Sequence, residues 1–180
     1  LTDAIKATEK VLSLPRRIPI FEATFRADEV LVRNDVLAPE PRGYHLIEVK
    51  SSTSVKDYHL QDVAVQAYVT EQSGIPLRHV SLMHIDNQFE YPGNGDYQGL
   101  FKLADVTADA RARLPDVPKW IASAQATLAG SEPIVAPGEQ CHDPFDCPFI
   151  GHCHPPADPN AFPVEELPYS GKLAPSLRAE

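Results

Sequence analysis

At 180 residues, 43% of them hydrophobic, the chain has apolar side chains enough for one core of ordinary size. Its net charge of -9 removes the long-range attraction to phosphate on which most nucleic-acid binders rely, and no apolar run is long enough to span a bilayer. No internal repeat or long like-charge block is present, which sets aside solenoids and charged tails.

Taken in order, Asp3 to Leu14 has the spacing of a short amphipathic helix. Ile18 to Phe25, Val30 to Leu37 and Tyr44 to Lys50 are rich in β-branched and apolar residues and predict a three-strand meander, with Pro39, Pro41 and Gly43 marking its second turn. Ser54 to Ser73 carries a helix signature: Ser54 with Asp57 resembles a capping box, Gly74 is a stop, and Leu60, Val63, Ala64 and Ala67 form an apolar stripe. Val80 to Ile85 predicts another strand. Thr107 can cap a helix through Leu114, Pro115 and Pro118 interrupt it, and Trp120 to Leu128 resumes helical spacing, with Trp120 expected in the core. The order αβββαβ predicts an α/β fold with a restriction-endonuclease-like core, a central mixed sheet flanked by helices over residues 1–130. Ten of the eighteen prolines fall after Ser131, so residues 131–180 are expected to be a loop-rich tail belonging to the same domain.

Two of these strands carry chemistry. Asp35 lies on the second, and Glu48-Val49-Lys50 on the third. A strand's side-chain period of two sends Glu48 and Lys50 to one face. Magnesium and manganese prefer oxygen ligands and retain waters, so Asp35 and Glu48 make an adequate protein contribution to such an ion. The ion acidifies a water and neutralises charge on a phosphate, and Lys50 can orient the nucleophile and stabilise the transition state. The same residues also suit a sheet edge, where alternating Glu and Lys serve as solvated cross-strand charge pairs. His59, Asp62 and Gln66 share a polar helix stripe that is either the wet side of the helix or a wall of the site, where Gln66 would hold a water or phosphate oxygen. Glu22 is a possible auxiliary on the first strand. Lys50, Lys56, Arg33, Arg42 and Arg16-Arg17 are the candidates for a local basic patch, although Arg16-Arg17 also reads as a solvated loop.

The runs Phe21-Glu22-Ala23-Thr24-Phe25, Val32-Arg33-Asn34-Asp35-Val36-Leu37, Leu46-Ile47-Glu48-Val49-Lys50-Ser51-Ser52-Thr53 and His59 to Tyr68 together resemble a RecB-type nuclease of the PD-(D/E)xK superfamily. More narrowly, the chain is similar, from Ala7 to Cys153, to bacterial proteins of unassigned function. In those, such a domain carries a cysteine-rich segment and precedes an RNase H-like exonuclease domain. The resemblance implies metal-dependent hydrolysis of DNA phosphodiesters as an exonuclease, with Asp35 and Glu48 as ligands for Mg²⁺ or Mn²⁺, Lys50 as the catalytic lysine and Gln66 in the helix motif that follows. The implied partner is DNA, single-stranded or at duplex ends. One departure stands out: many RecB-type nucleases have Gln-x-x-x-Tyr on that helix, where this chain has Asp62 and Gln66.

Cys141, Cys147 and Cys153 are the only cysteines, spaced C-x5-C-x5-C. An odd number argues against a closed disulfide framework, and with no signal peptide the expected compartment is a reducing cytoplasm that keeps thiols available as ligands. Related helicase-nuclease subunits and the CRISPR-associated adaptation nuclease hold a 4Fe-4S cluster with one upstream and three downstream cysteines, and the three here resemble the downstream set. Such a cluster takes four thiolates. The chain starts without methionine, so it reads as a fragment of a longer protein that would supply the fourth; otherwise His142, His152 or His154 could complete a zinc site. Two other classes of function remain open at this point. One is a catalytically silent nucleic-acid or protein-binding module stabilised by a cysteine-ligated metal; the other is redox thiol chemistry, which lacks a Cys-x-x-Cys or a basic helix start.

Overall fold

The computed structural model describes residues 2–153, which divide into two compact units between Glu132 and Pro133. The first is an α/β unit made of α1 (Thr2–Leu12), β1 (Ile20–Ala27), β2 (Val30–Glu40), β3 (Gly43–Lys50), α2 (Asp57–Gln72), β4 (Leu77–Ile85), β5 (Phe101–Asp105), α3 (Thr107–Arg113) and α4 (Val117–Ala129). The strands lie in the order β1-β2-β3-β4-β5 in one mixed sheet flanked by helices. β1, β2 and β3 are antiparallel neighbours, β3 and β4 are parallel, and β5 returns antiparallel to β4. A parallel pair requires a crossover, and α2 is that crossover.

Both meander turns hold two residues. Asp28 and Glu29 take φ of 49° and 61°, the left-handed pair that matches the twist of a tight hairpin. At the second turn β2 runs through Pro39 to Glu40, so the turn is only Pro41-Arg42, shorter than its prolines suggest. Pro41 presets the first position and Arg42 takes φ 63° at the second, the combination of a type II turn. A Cβ on the following Gly43 would lie 2.7 Å from both the Pro76 carbonyl oxygen and Arg78 Cγ, so only glycine admits this approach. Arg17 secures the turn by donating to the carbonyls of Glu40 and Gly43 while its guanidinium sits 4.0 Å above the Tyr44 ring. Arg17 therefore belongs to the scaffold and not to a phosphate patch.

The core lies between α2 and the sheet. Val63, Ala67 and Val69 of α2 are buried against strands that contribute Ala23, Phe25, Val32, Leu37, Leu46, Val80 and Leu82, while Ala64 is buried against α4 and Thr70 Oγ1 accepts from Asn34 of β2. Leu37 and Leu46 are register partners on β2 and β3, and both are fully buried. α1 protects the edge strand: Thr8 Oγ1 accepts the N–H of Thr24 at 2.9 Å, a ladder donor that faces no neighbouring strand.

Four expectations are corrected here. α2 begins at Asp57 and not at Ser54; its start is shaped by His59, whose Nδ1 accepts the Lys56 N–H at 3.1 Å. β5 was not foreseen, since exposed Phe101, Lys102 and Leu103 show no alternation. Pro115 occupies a single 3₁₀ turn, Leu114–Asp116, and Pro118 the first turn of α4, where a missing N–H costs nothing, so α4 starts at Val117. Trp120 is 37% exposed on α4, while Val117 and Ile121 make the contacts with Ala64.

In the second unit, a 3₁₀ turn spans Glu139–Cys141 and a short helix, α5, spans Ile150–Cys153. Among the described residues no helix is long and apolar enough to cross a membrane. Truncating Leu46 to alanine removes a fully buried side chain at the centre of the sheet and should cost about 2–5 kcal/mol in urea unfolding. Leu128→Ala, on a side chain 87% exposed, should stay within about 0.5 kcal/mol of the parent.

Candidate functional site

The site forms where β2 and β3 part. Their ladder pairs Glu40 with Gly43 through to Val36 with Ile47 and stops there. At the next step Asp35 Oδ2 accepts the Val49 N–H at 2.7 Å, a carboxylate standing where a strand carbonyl would otherwise be. Extending the register by one places Asp35 beside Glu48, and the two acids repel: Asp35 is among the groups that raise the Glu48 pKa.

β1 and β2 share an irregularity. Ala23, Phe25, Val32 and Asn34 are buried on one side of it, and Ile20 and Leu37 on the other, so the inward positions are out of step by one residue. The step falls at Glu22, which has φ 57° and is absent from the ladder between the Phe21–Val36 and Ala23–Asn34 pairs. Counting by twos from Val32 sends Asp35 away from the core and counting from Leu37 sends it inward, and its carboxylate lies between the strands, on the Val49 N–H of β3. Glu22 itself turns outward and pairs with Arg33 Nε at 2.7 Å, both exposed. It is not an auxiliary to Lys50, and Arg33 is already paired.

Lys50 closes the arrangement. Its Nζ donates to Glu48 Oε1 at 2.8 Å and to Asp62 Oδ2 at 2.5 Å. Asp62 Oδ1 accepts from Gln66 Nε2 at 3.3 Å, so the polar stripe of α2 is a wall of this site and not its wet side. His59 and Gln66 of that stripe are buried. Across the parallel ladder Lys50 is in register with His84, whose Nδ1 lies 3.1 Å from the Ile85 carbonyl.

The electrostatics are those of crowded acids around one amine. Burial pushes the Glu48 carboxyl above its ordinary value, and the opposing pull of Lys50 and Gln66 does not cancel it. Burial works to lower the Lys50 pKa, but its bonds to Asp62 and Glu48 outweigh this and leave it above the ordinary value. His59 is held below its usual range, first by burial and then by the charge of Lys50. Two carboxylates, Glu48 and Asp62, face the one lysine, and Asp35 adds its charge beside Glu48. Two buried oxygens here, Glu48 Oε2 and Gln66 Oε1, have no hydrogen-bond partner, an arrangement that costs about 1–3 kcal/mol for each neutral group and more for a charged one. Oxygen donors with surplus negative charge suit a hard divalent cation, which takes one or two carboxylates and keeps several waters. Asp35 and Glu48 fit that requirement. Among the described residues no three of His, Cys, Asp and Glu gather as a metal-binding group.

The cysteines are not brought together as a ligand set. Cys141 is buried, Cys147 half-buried and Cys153 exposed, and all three are free thiols; the Cys147 N–H donates to the Cys141 carbonyl at 2.7 Å. His142 pairs with Asp146 at 2.8 Å, and His154 lies outside the described residues.

Of the residues expected from sequence, Asp35, Glu48, Lys50 and Gln66 come together. Asp62 was seen only as part of a stripe, and its direct bond to Lys50 was missed, although the spacing of His59, Asp62 and Gln66 carried the signal. His84 was missed because a strand register is needed to find it. No protein-family model, curated protein or solved structure matches the chain.

A pH dependence follows from Glu48. With a folded pKa above the ordinary 4.5, its protonated form adds stability that is complete below 4.5 and is lost as pH rises through the folded value. Glu48→Gln should therefore raise the melting temperature at pH 7 in chelator by a few degrees and flatten the decline above pH 4.5, as followed by thermal unfolding across pH. A variant with the parent's slope would show that Glu48 is not the titrating group.

Proposed function

We propose that residues 1–132 are a divalent-metal-dependent nuclease that hydrolyses DNA phosphodiester bonds as an exonuclease of RecB type, on a restriction-endonuclease-like core. The observation that carries this reading is the convergence of Asp35, Glu48 and Lys50 at the parting of β2 and β3, with a carboxylate oxygen left buried and unpartnered. The αβββαβ order, followed here by a fifth strand, supports it.

In this reading Asp35 and Glu48 hold Mg²⁺ or Mn²⁺, which supplies charge neutralisation at the phosphate and a more acidic water. Lys50 is the protein's own electrophile. Its ammonium, kept charged by Asp62 and Glu48, donates to the phosphoryl oxygen on which negative charge builds. Asp62 limits the freedom of the lysine, and Gln66 in turn holds Asp62. Asp35 has a second duty: by taking the Val49 N–H it satisfies a backbone donor where the ladder ends. The acidic total charge is partly this site, whose carboxylates a bound cation would offset.

End-labelled single- and double-stranded DNA incubated with the protein and Mn²⁺ or Mg²⁺ should lose label. Lys50→Ala should fold normally and lose roughly 10²- to 10³-fold in turnover, the scale of one electrostatic contact to the transition state. Glu48→Ala should abolish cleavage. Binding without loss of label in the parent would instead favour a silent binding module, and full turnover in Lys50→Ala would remove the lysine from the mechanism.

A further inference from the structure

Between β4 and β5 the chain makes a long excursion, residues 86–100, that is ordered by its own hydrogen bonds. The Asp86 N–H donates to the Leu100 carbonyl at 2.8 Å and closes the base of the loop; Asp96 N–H to Gly93 O and Leu100 N–H to Tyr97 O brace its arms. Gly93, Asn94 and Gly95 all have positive φ, which folds the tip tightly enough for Tyr91 Oη to accept the Gly95 N–H at 2.7 Å. Compact loops of this length with adjoining ends are commonly functional.

The loop presents two aromatic rings to solvent. Tyr91 and Tyr97 stack with centroids 5.0 Å apart and planes 19° from parallel, yet they remain 52% and 59% exposed. The rings are prearranged as a flat surface without being buried by it. The place of the loop is equally informative. It leaves β4 immediately after His84 and Ile85; His84 is the register partner of Lys50, and the Ile85 N–H donates to the Ser52 carbonyl just beyond Lys50. Loop and lysine thus share the C-terminal rim of the parallel β3–β4 pair, where open α/β sheets bind ligands. One nearby charge is already offset, since Asp86 pairs with Lys102 at 2.8 Å.

We propose that the Tyr91–Tyr97 stack is a platform on which an unpaired base of single-stranded nucleic acid rests, so that the strand is presented to Lys50 from this rim. The choice of nucleic acid as partner rests on the nuclease reading above. Stacking suits an acidic protein because it draws on the π-face of a base and not on phosphate attraction. It also predicts preference for unpaired strands, because bases inside a duplex offer no free face.

The test is fluorescence anisotropy of a labelled oligodeoxythymidylate against the intact chain in chelator, which prevents cleavage. Tyr97→Ala should weaken binding roughly 5- to 100-fold, the range for loss of one base–aromatic stack, while Tyr97→Phe should bind like the parent. Affinity for a blunt duplex should not change in either variant. Binding of the oligonucleotide that is indifferent to Tyr97→Ala, or no binding by the parent, would overturn the platform. So would an equal loss for duplex and single strand. Cleavage by the parent with Mn²⁺ is scored separately: loss of binding in Tyr97→Ala with no cleavage keeps the platform and removes the hydrolase, whereas cleavage with binding indifferent to Tyr97 does the reverse.

Discussion

A single hydrogen bond, from the Val49 N–H to the Asp35 carboxylate, marks the place where two strands stop pairing, and the candidate site is organised around it. Beyond that point a strand carbonyl would close the ladder and fill the gap between β2 and β3. With a carboxylate there instead, the backbone donor is satisfied without a strand pair. Glu48 and Lys50 flank Val49 on either side, and a wall of α2 bearing Asp62 and Gln66 stands over them. The arrangement is costly by itself. Two buried oxygens lack partners and two acids share one amine, a pattern expected of residues retained for chemistry more than for stability.

The rest of the first unit serves to hold this gap. The Leu37–Leu46 pair anchors the strands one turn of the pleat away from it, and Gly43 with Arg17 pins the far hairpin. α2 must cross over to reach β4, and the same crossover lays its polar stripe over Lys50. Fold and site are therefore the product of one connection. The parallel β3–β4 pair also sets a rim from which both Lys50 and the Tyr91–Tyr97 loop depart, although the aromatic pair is distant from the lysine in sequence.

Much of this was legible beforehand. β-branched runs and paired turn residues located the meander, the apolar stripe of Val63, Ala64 and Ala67 located α2, and a two-residue period put Glu48 and Lys50 on one face. What failed did so for local reasons. β5 is a short exposed edge without alternation, Ser54 competed with His59 for the start of α2, and Trp120 was expected in the core although its helix turns Val117 and Ile121 inward.

The order of strands and helices and the identity of the acids and the lysine were thus written in patterns of period two and three to four, because burial of one face repeats at those intervals along the chain. Which way Asp35 points was not. Period counting gives opposite answers from Asn34 and from Leu37, both buried, and the place of its carboxylate on the Val49 N–H exists only once β2 lies beside β3. The partnership of Lys50 with Asp62 and the register of His84 likewise join segments separated by a crossover, and their distances follow from packing that no local interval encodes.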